Sequence, residues 1–405
     1  MTRKNATWRN WAGNVSFRPS CNVTPKVEYE VGAAVRDASI SGRPLRVAGS
    51  GHSFTPLVET SGALLLLDEL RGVFNIDAER LRFDTWAGTR IHELGDVLWE
   101  HGLALSNQGD IDSQAIMGAI STGTHGSGRN LKTFSAMLCG ARLFDGRGEA
   151  LDISETSHAE ILPALQTSMG LLGVATRVTL QASEAYAIEE KIEILPFHAV
   201  IERWDDYLST YRHFSFFWMP TDASAELYNL AGAPKDSCLV KLYQKREPDA
   251  SAVHGSTRTD RSYRIYPSVF EPNFHEMEYF MPIACGKDVA IAQRELMLSG
   301  RFDSRFPMEI RFVAADEAWL SPAYRRDSVV MSISGVPGTN YLDYLRHTDR
   351  LFAEHSGRPH WGKLHFMTQS RLRDLYPRLD DFIDLRESLD PKGIFLNDHL
   401  RELFA

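Results

Sequence analysis

Residues 46–54 read RVAGSGHSF. An apolar run, Leu45 to Ala48, breaks into Gly49-Ser50-Gly51 and then presents His52. Lacking a Cβ, the two glycines let backbone amides come close to a bound group. A histidine directly after such a turn is held beside whatever the turn grips. Upstream, PKVEYEVGAAVRDASIS (25–41) opens with Pro25 and spaces small and apolar residues helically, so it reads as a helix feeding the strand PLRVAGS.

A second loop, SNQGDIDSQAIMGAISTGTHGSG (106–128), repeats this small-residue chemistry about 60 residues later and ends around Thr122, Thr124 and His125. Loops rich in exposed amides cradle anions such as a diphosphate. Two of them together point to one extended, phosphate-bearing ligand.

The whole chain sets limits. Its 405 residues are 43% hydrophobic and 24% charged, ordinary for a globular protein of two or three domains. Net charge is -9, and no basic run is long enough to track a nucleic-acid backbone. No window approaches the ~18 apolar residues of a membrane span. The start, MTRKNATWRNWAGNVSF, has no apolar core and reads as no signal peptide. Cysteines 21, 139, 238 and 285 fit no zinc or redox spacing, and are expected to be reduced thiols of a cytoplasmic protein. No metal motif is present.

Along the chain, GALLLLDEL (62–70) reads as a buried strand, and RLRFDTWAGTRIHELGDVLWEHGLAL (80–105) as strand, turn and helix. AMLCGARLFD and MGLLGVATRVTLQA complete an α+β region. After about residue 185, YAIEEKIEIL, HFSFFWMP, CLVKLYQK, MEIRFVAA and SVVMSISG alternate as strands do, predicting one large antiparallel sheet. The tail from 371 is amphipathic and helical. Residues 185 to 300 are the least legible stretch.

GSGHSF and GDIDSQAIMGAISTGTHGSG together resemble the FAD domain of the vanillyl-alcohol-oxidase-type flavoproteins, in the sugar-lactone and alditol oxidase branch. The likeness continues through EIRFVAADEAWLSPAY (309–324), RPHWGKLHF (358–366) and YPRLDDF…LDPKGIFLN (376–397), and so covers nearly the whole chain. It implies an α+β flavoprotein with an FAD domain at 1–184, a substrate-binding cap at 185–363 and a helical segment at 364–405 that returns to the FAD domain.

The same resemblance implies a cofactor set of Val47, Ala48, Gly49, Ser50, Gly51, His52, Ser53, Gly109, Asp110, Ala115, Gly118, Thr122, Gly123, Thr124, His125, Gly173, Val174 and Ala175. His52 takes the place of the histidine bonded to the flavin 8α carbon, and the absence of cysteine at 118–128 leaves no second covalent link through sulfur. Gly109 stands where a small residue leaves room for O2.

Side chains at i and i+2 share a strand face. Glu309 and Arg311 therefore point together, as do Ser332 and Ser334, and Trp361, Lys363 and His365. The resemblance places these segments over the flavin, with Glu309, Arg311 and Lys363 catalytic and Asp110, Ser332, Ser334 and His365 at the substrate. Asp110 stands where an alditol oxidase is expected to carry serine, which brings the loop closer to the lactone oxidases. The implied reaction is oxidation of a hydroxyl on an aldono-1,4-lactone or alditol, with O2 reduced to H2O2. Oxidation of a nucleoside or glycosylated metabolite, a dehydrogenase with another acceptor, and a flavin carrier without turnover are the alternatives. The expected partners are a small carbohydrate-like molecule and O2, without nucleic acid, membrane or metal.

Overall fold

The computed structural model describes residues 2–3, 6–228, 230, 232–250, 252–254, 257–268 and 274–405. The N-terminal part packs two sheets around the helix Glu28–Ser41. A small sheet carries Leu45–Ala48 parallel to Ala63–Leu66, which is parallel to Cys21–Val23. A five-stranded antiparallel sheet orders Ala150–Ser154, Leu138–Phe144, Val174–Gln181, Arg82–Trp86 and Val73–Asp77. The helix buries Val31, Val35 and Ala38 against Leu45 and Leu65 on one side and Phe144 and Val174 on the other. Gly32 permits that approach, since a Cβ there would meet the Phe144 ring at 2.9 Å.

A nine-stranded sheet follows, with strands Met308–Val313, Ser328–Gly335 and His275–Pro282 adjacent near one end. Its two faces differ because each strand alternates. One face carries Met277, Tyr279, Ile310, Phe312, Met331, Ile333, Phe214 and Phe216, all at most 1% exposed. Helices Phe197–Thr210, Gly286–Leu298 and Tyr341–Glu354 cover it. Trp204 meets the Phe312 ring at 5.0 Å in a perpendicular contact, and truncating such a side chain typically costs about 3–5 kcal/mol. The opposite face carries Glu276, Glu278, Glu309, Arg311, Ser332 and Ser334.

The last three helices, Gln369–Leu375, Leu379–Leu389 and Asp398–Phe404, return to the N-terminal part. Asn397 caps the final helix through Leu400 N–H at 2.9 Å and donates to the Pro56 carbonyl at 2.7 Å. Among the described residues no helix is long and apolar enough to cross a membrane, and no cluster of three metal-ligating side chains occurs.

Two sequence readings need correction. HWGKLHF is not a strand: Arg358–Pro359 joins the sheet, the chain then turns at 361–363, and Leu364 touches the sheet again through a single bridge to Met277. Lys363 N–H donates to the His360 carbonyl at 2.9 Å, and Phe54 N–H takes the Gly362 carbonyl at 2.7 Å. This turn is pressed onto the His52 loop, so Trp361, Lys363 and His365 share no face. Conversely, HEMEYFMP (275–282) is a strand that the sequence reading passed over.

Candidate active site

The glycine turn at 49–51 opens onto an elongated cavity. Val47, Ala48, Gly49, Ser50, Gly51, His52 and Ser53 form one wall, Ala115, Gly118 and Thr122 another, and Gly173, Val174 and Ala175 a third. Gly51 has φ +72 and lies against Trp8, while a Cβ on Gly49 would meet Ala115 at 2.9 Å. Gly123 is not in the lining: it is the left-handed C-cap of the helix Ile116–Thr122 and faces Pro322.

Two arginines missed by the sequence reading reach this cavity. Arg90 donates to Ser50 Oγ at 2.5 Å and pairs with Asp68 at 2.6 Å. Arg46, 2% exposed, donates to the carbonyls of Leu57, Met169, Gly170 and Phe395. Burial pushes its guanidinium down to about 10. No short-range sequence signal separates these two arginines from surface ones.

A second cavity shares His52, Ser53, Gln114 and Thr122 with the first. His52 therefore stands where the two spaces meet. Its ring stacks on Trp11 at 5.4 Å, and Nε2 contacts Ser113 Oγ at 3.0 Å. Burial first, then the charges of Lys363 and Arg90, push its imidazole down to about 4, so it is neutral at pH 7.

Gly109, Asp110, Thr124 and His125 line this second cavity and not the first. A Cβ on Gly109 would meet the His125 carbonyl at 2.8 Å, so the glycine is required by backbone packing. The charged face of the large sheet forms the floor. Glu309, Ser332 and Glu278 lie in one cross-strand row. Arg311 contacts Glu278 and lies 3.4 Å from Glu309. Lys363 pairs with Glu276. Asp110 lies 3.5 Å from Lys241. Arg311 and Lys363 are both paired, and two of their three carboxylate partners, Glu278 and Glu276, sit on the strand that the sequence reading omitted.

Burial pushes the Glu309 carboxyl up to about 7; Arg311 opposes the shift, while Asp110, Glu278 and Glu276 add to it. Glu278 goes the other way: although burial disfavours its charge, Arg311 and His125 hold it well below the usual carboxylate range. Ser332 is 5% exposed, lines the cavity, and its Oγ has no hydrogen-bond partner among the described residues. Ser334 does not line the cavity; its Oγ bonds Tyr228 OH at 2.5 Å. His365 also lies outside, with its ring 5.6 Å from that of His399. Trp11, Phe54, Phe217, Tyr228 and Phe274 form an aromatic wall of this cavity, with Phe217 beside Glu309 on the same face of the sheet.

Comparison with known proteins decides what these spaces belong to. The chain is 31% identical to an L-gulono-1,4-lactone dehydrogenase of Mycobacterium tuberculosis, over 98% of this chain and 99% of that one. The chain belongs to the sugar-lactone oxidase branch of the vanillyl-alcohol-oxidase-type FAD flavoproteins. Family profiles agree: residues 19–154 match an FAD binding domain, and 236–403 match the family described as D-arabinono-1,4-lactone oxidase. Other relatives of this flavoprotein include an L-gulonolactone oxidase of Mus musculus, 26% identical over 99% of both chains, and an alditol oxidase of Streptomyces sp., 28% identical over 97% and 98%. The crystal structure of cholesterol oxidase from B. sterolicum superposes with a TM-score of 0.85 over 99% of this chain and 97% of that one, at 15% identity, which is a likeness of fold.

FAD fits the residues present. The first cavity is walled by loops whose amides suit a diphosphate, with Arg90 and Arg46 as nearby cations. Ser168 Oγ and Gln114 Oε1 are buried in its lining without partners among the described residues, as donors and acceptors awaiting a polar ligand would be.

Proposed function

We propose that this flavoprotein oxidises a hydroxyl of a sugar-derived lactone or alditol and passes the electrons to O2, giving H2O2. The observation that carries the reading is the meeting of the two cavities at His52, with Glu309 and Arg311 on the floor beyond it and Lys363 on the adjoining turn.

When bound, FAD supplies the hydride acceptor for the carbinol carbon. The protein's own residues handle the charge and the proton. Glu309, titrating near 7, is suited to take the hydroxyl proton, since a base works best with an affinity close to the working pH. Arg311 and Lys363 stabilise the negative charge that develops on oxygen, and fixed cations in a dry site act strongly. Asp110 and Ser332 hydrogen-bond neighbouring hydroxyls. The aromatic wall covers the C–H face of the sugar.

We assign His52 as the covalent tether. A neutral imidazole is the nucleophilic form, and with Nε2 engaged by Ser113, Nδ1 has no hydrogen bond among the described residues. The proposed division is an FAD domain to 184, a cap at 185–363 and the returning tail. A second reading, a dehydrogenase using another acceptor, is favoured by the name of the mycobacterial relative. Oxygen uptake and anaerobic flavin reduction with aldono-1,4-lactones, alditols and nucleosides separate the two: a dehydrogenase is reduced by substrate but consumes little O2.

A further inference from the structure

His125 sits at the end of the second glycine loop, 3% exposed, and lines the substrate cavity. Its two ring nitrogens both face oxygen acceptors. Nδ1 is 2.7 Å from the Gly126 carbonyl, and Nε2 is 3.1 Å from Glu278 Oε1. A carbonyl oxygen can only accept. Glu278 Oε1 also binds the Arg311 guanidinium, which keeps that group a carboxylate and hence acceptor-only. A histidine that donates from both nitrogens carries a positive charge.

The neighbouring histidine shows the contrast. His360, with its ring 6.1 Å from that of His125, accepts the Gly362 N–H at Nδ1 at 3.0 Å and is therefore neutral. The Phe280 ring lies near-perpendicular to that of His125, centroids 4.8 Å apart, and Asp110, Glu276, Glu309, Arg311 and Lys363 line the same cavity.

We propose that Glu278 is a positioning residue that holds His125 as an imidazolium, and that this fixed charge offsets the negative charge arriving on the bound flavin. Glu278 thereby does two jobs with one carboxylate: it orients Arg311 towards the substrate and keeps His125 charged on the cofactor loop. This rests on the assignment of FAD to the adjoining cavity, and it adds a device that the proposed reaction does not require.

The direct test needs no variant. In 15N-histidine-labelled holoprotein at pH 7, the His125 ring should show both nitrogens protonated; one unprotonated nitrogen overturns the proposal. The second test is Glu278→Gln, whose amide can donate to Nε2 and accept a neutral ring. Dye-coupled reduction by dithionite should find the flavin at least tenfold harder to reduce at equilibrium, about 30 mV lower for a two-electron couple. If Glu278 merely braces the fold, the melting temperature drops and the potential stays, which overturns the proposal. Neither measurement uses a sugar. A protein that passes both yet is reduced by no lactone or alditol would instead refute the substrate assignment.

Discussion

Arg311 reaches across an intervening strand to bind Glu278. The residue it crosses beside is Ser332, which lies between Glu278 and Glu309 in the cross-strand row. Neighbouring strands are about 4.8 Å apart, so the guanidinium spans two strand spacings, passing between Val330, its own cross-strand partner, and Ser332, where a large side chain would stand in its way. Ser332→Leu should break this ion pair and leave Glu278 as a buried charge without its main partner. The expected cost is about 3 kcal/mol or more of stability, with slower flavin reduction. Thermal unfolding and anaerobic stopped-flow reduction check both. Unchanged values for both would show that Arg311 does not depend on the space at 332.

Covalent attachment at His52 predicts that acid-precipitated protein stays yellow and carries the added mass of FAD. His52→Ala should release all flavin into the acid supernatant. Acid-stable flavin in that variant would move the bond to another residue.

The pH dependence has two components. Glu309 is active as the base, so the limiting rate of flavin reduction should rise through about pH 7 and level off above it. Glu309→Gln should be slow and flat across that range. Stability behaves differently. Burial pushes His360 down to about 3, below the ~6.5 of the unfolded chain. Its neutral form is favoured on folding, so the associated stability is complete above 6.5 and is lost as pH falls from there towards 3. At pH 5 the loss from this group is about 2 kcal/mol. Denaturant unfolding at pH 7.5 and 5 measures it, and His360→Phe should flatten the slope.

Lys363 and Glu276 form one unit, so Lys363→Met removes a cation and orphans a carboxylate. The single variant should lose both stability and reduction rate. Adding Glu276→Gln should restore much of the melting temperature without restoring the rate. Recovery of the rate in the double variant would limit Lys363 to a structural role.

Much of this was legible in the sequence, for local reasons. GSGHSF and the 106–128 loop advertise themselves because glycine and small polar residues are needed within a few positions. The faces of 308–313 and 328–335 follow from strand alternation. The rest depends on distance along the chain. Glu276 and Glu278 alternate with Met277 and Tyr279 as openly as any strand, but nothing local says that they meet Lys363 and Arg311. The segment HWGKLHF alternates too, yet Gly362 and the His360 carbonyl close it into a turn, which aims Lys363 at the cavity and leaves His365 against His399. Arg46 reads as a strand residue, and its four carbonyl partners come from three separate segments.

The central claim is that a sugar-derived hydroxyl is oxidised beside Glu309, Arg311 and Lys363. Anaerobic stopped-flow reduction of the bound flavin tests it most directly, using an aldono-1,4-lactone and an alditol with the unmodified protein and with Arg311→Met. The account predicts rapid loss of oxidised-flavin absorbance with at least one of them, slowed by about 10² to 10³ in the variant. No reduction by either substrate, or equal rates in the two proteins, would contradict it.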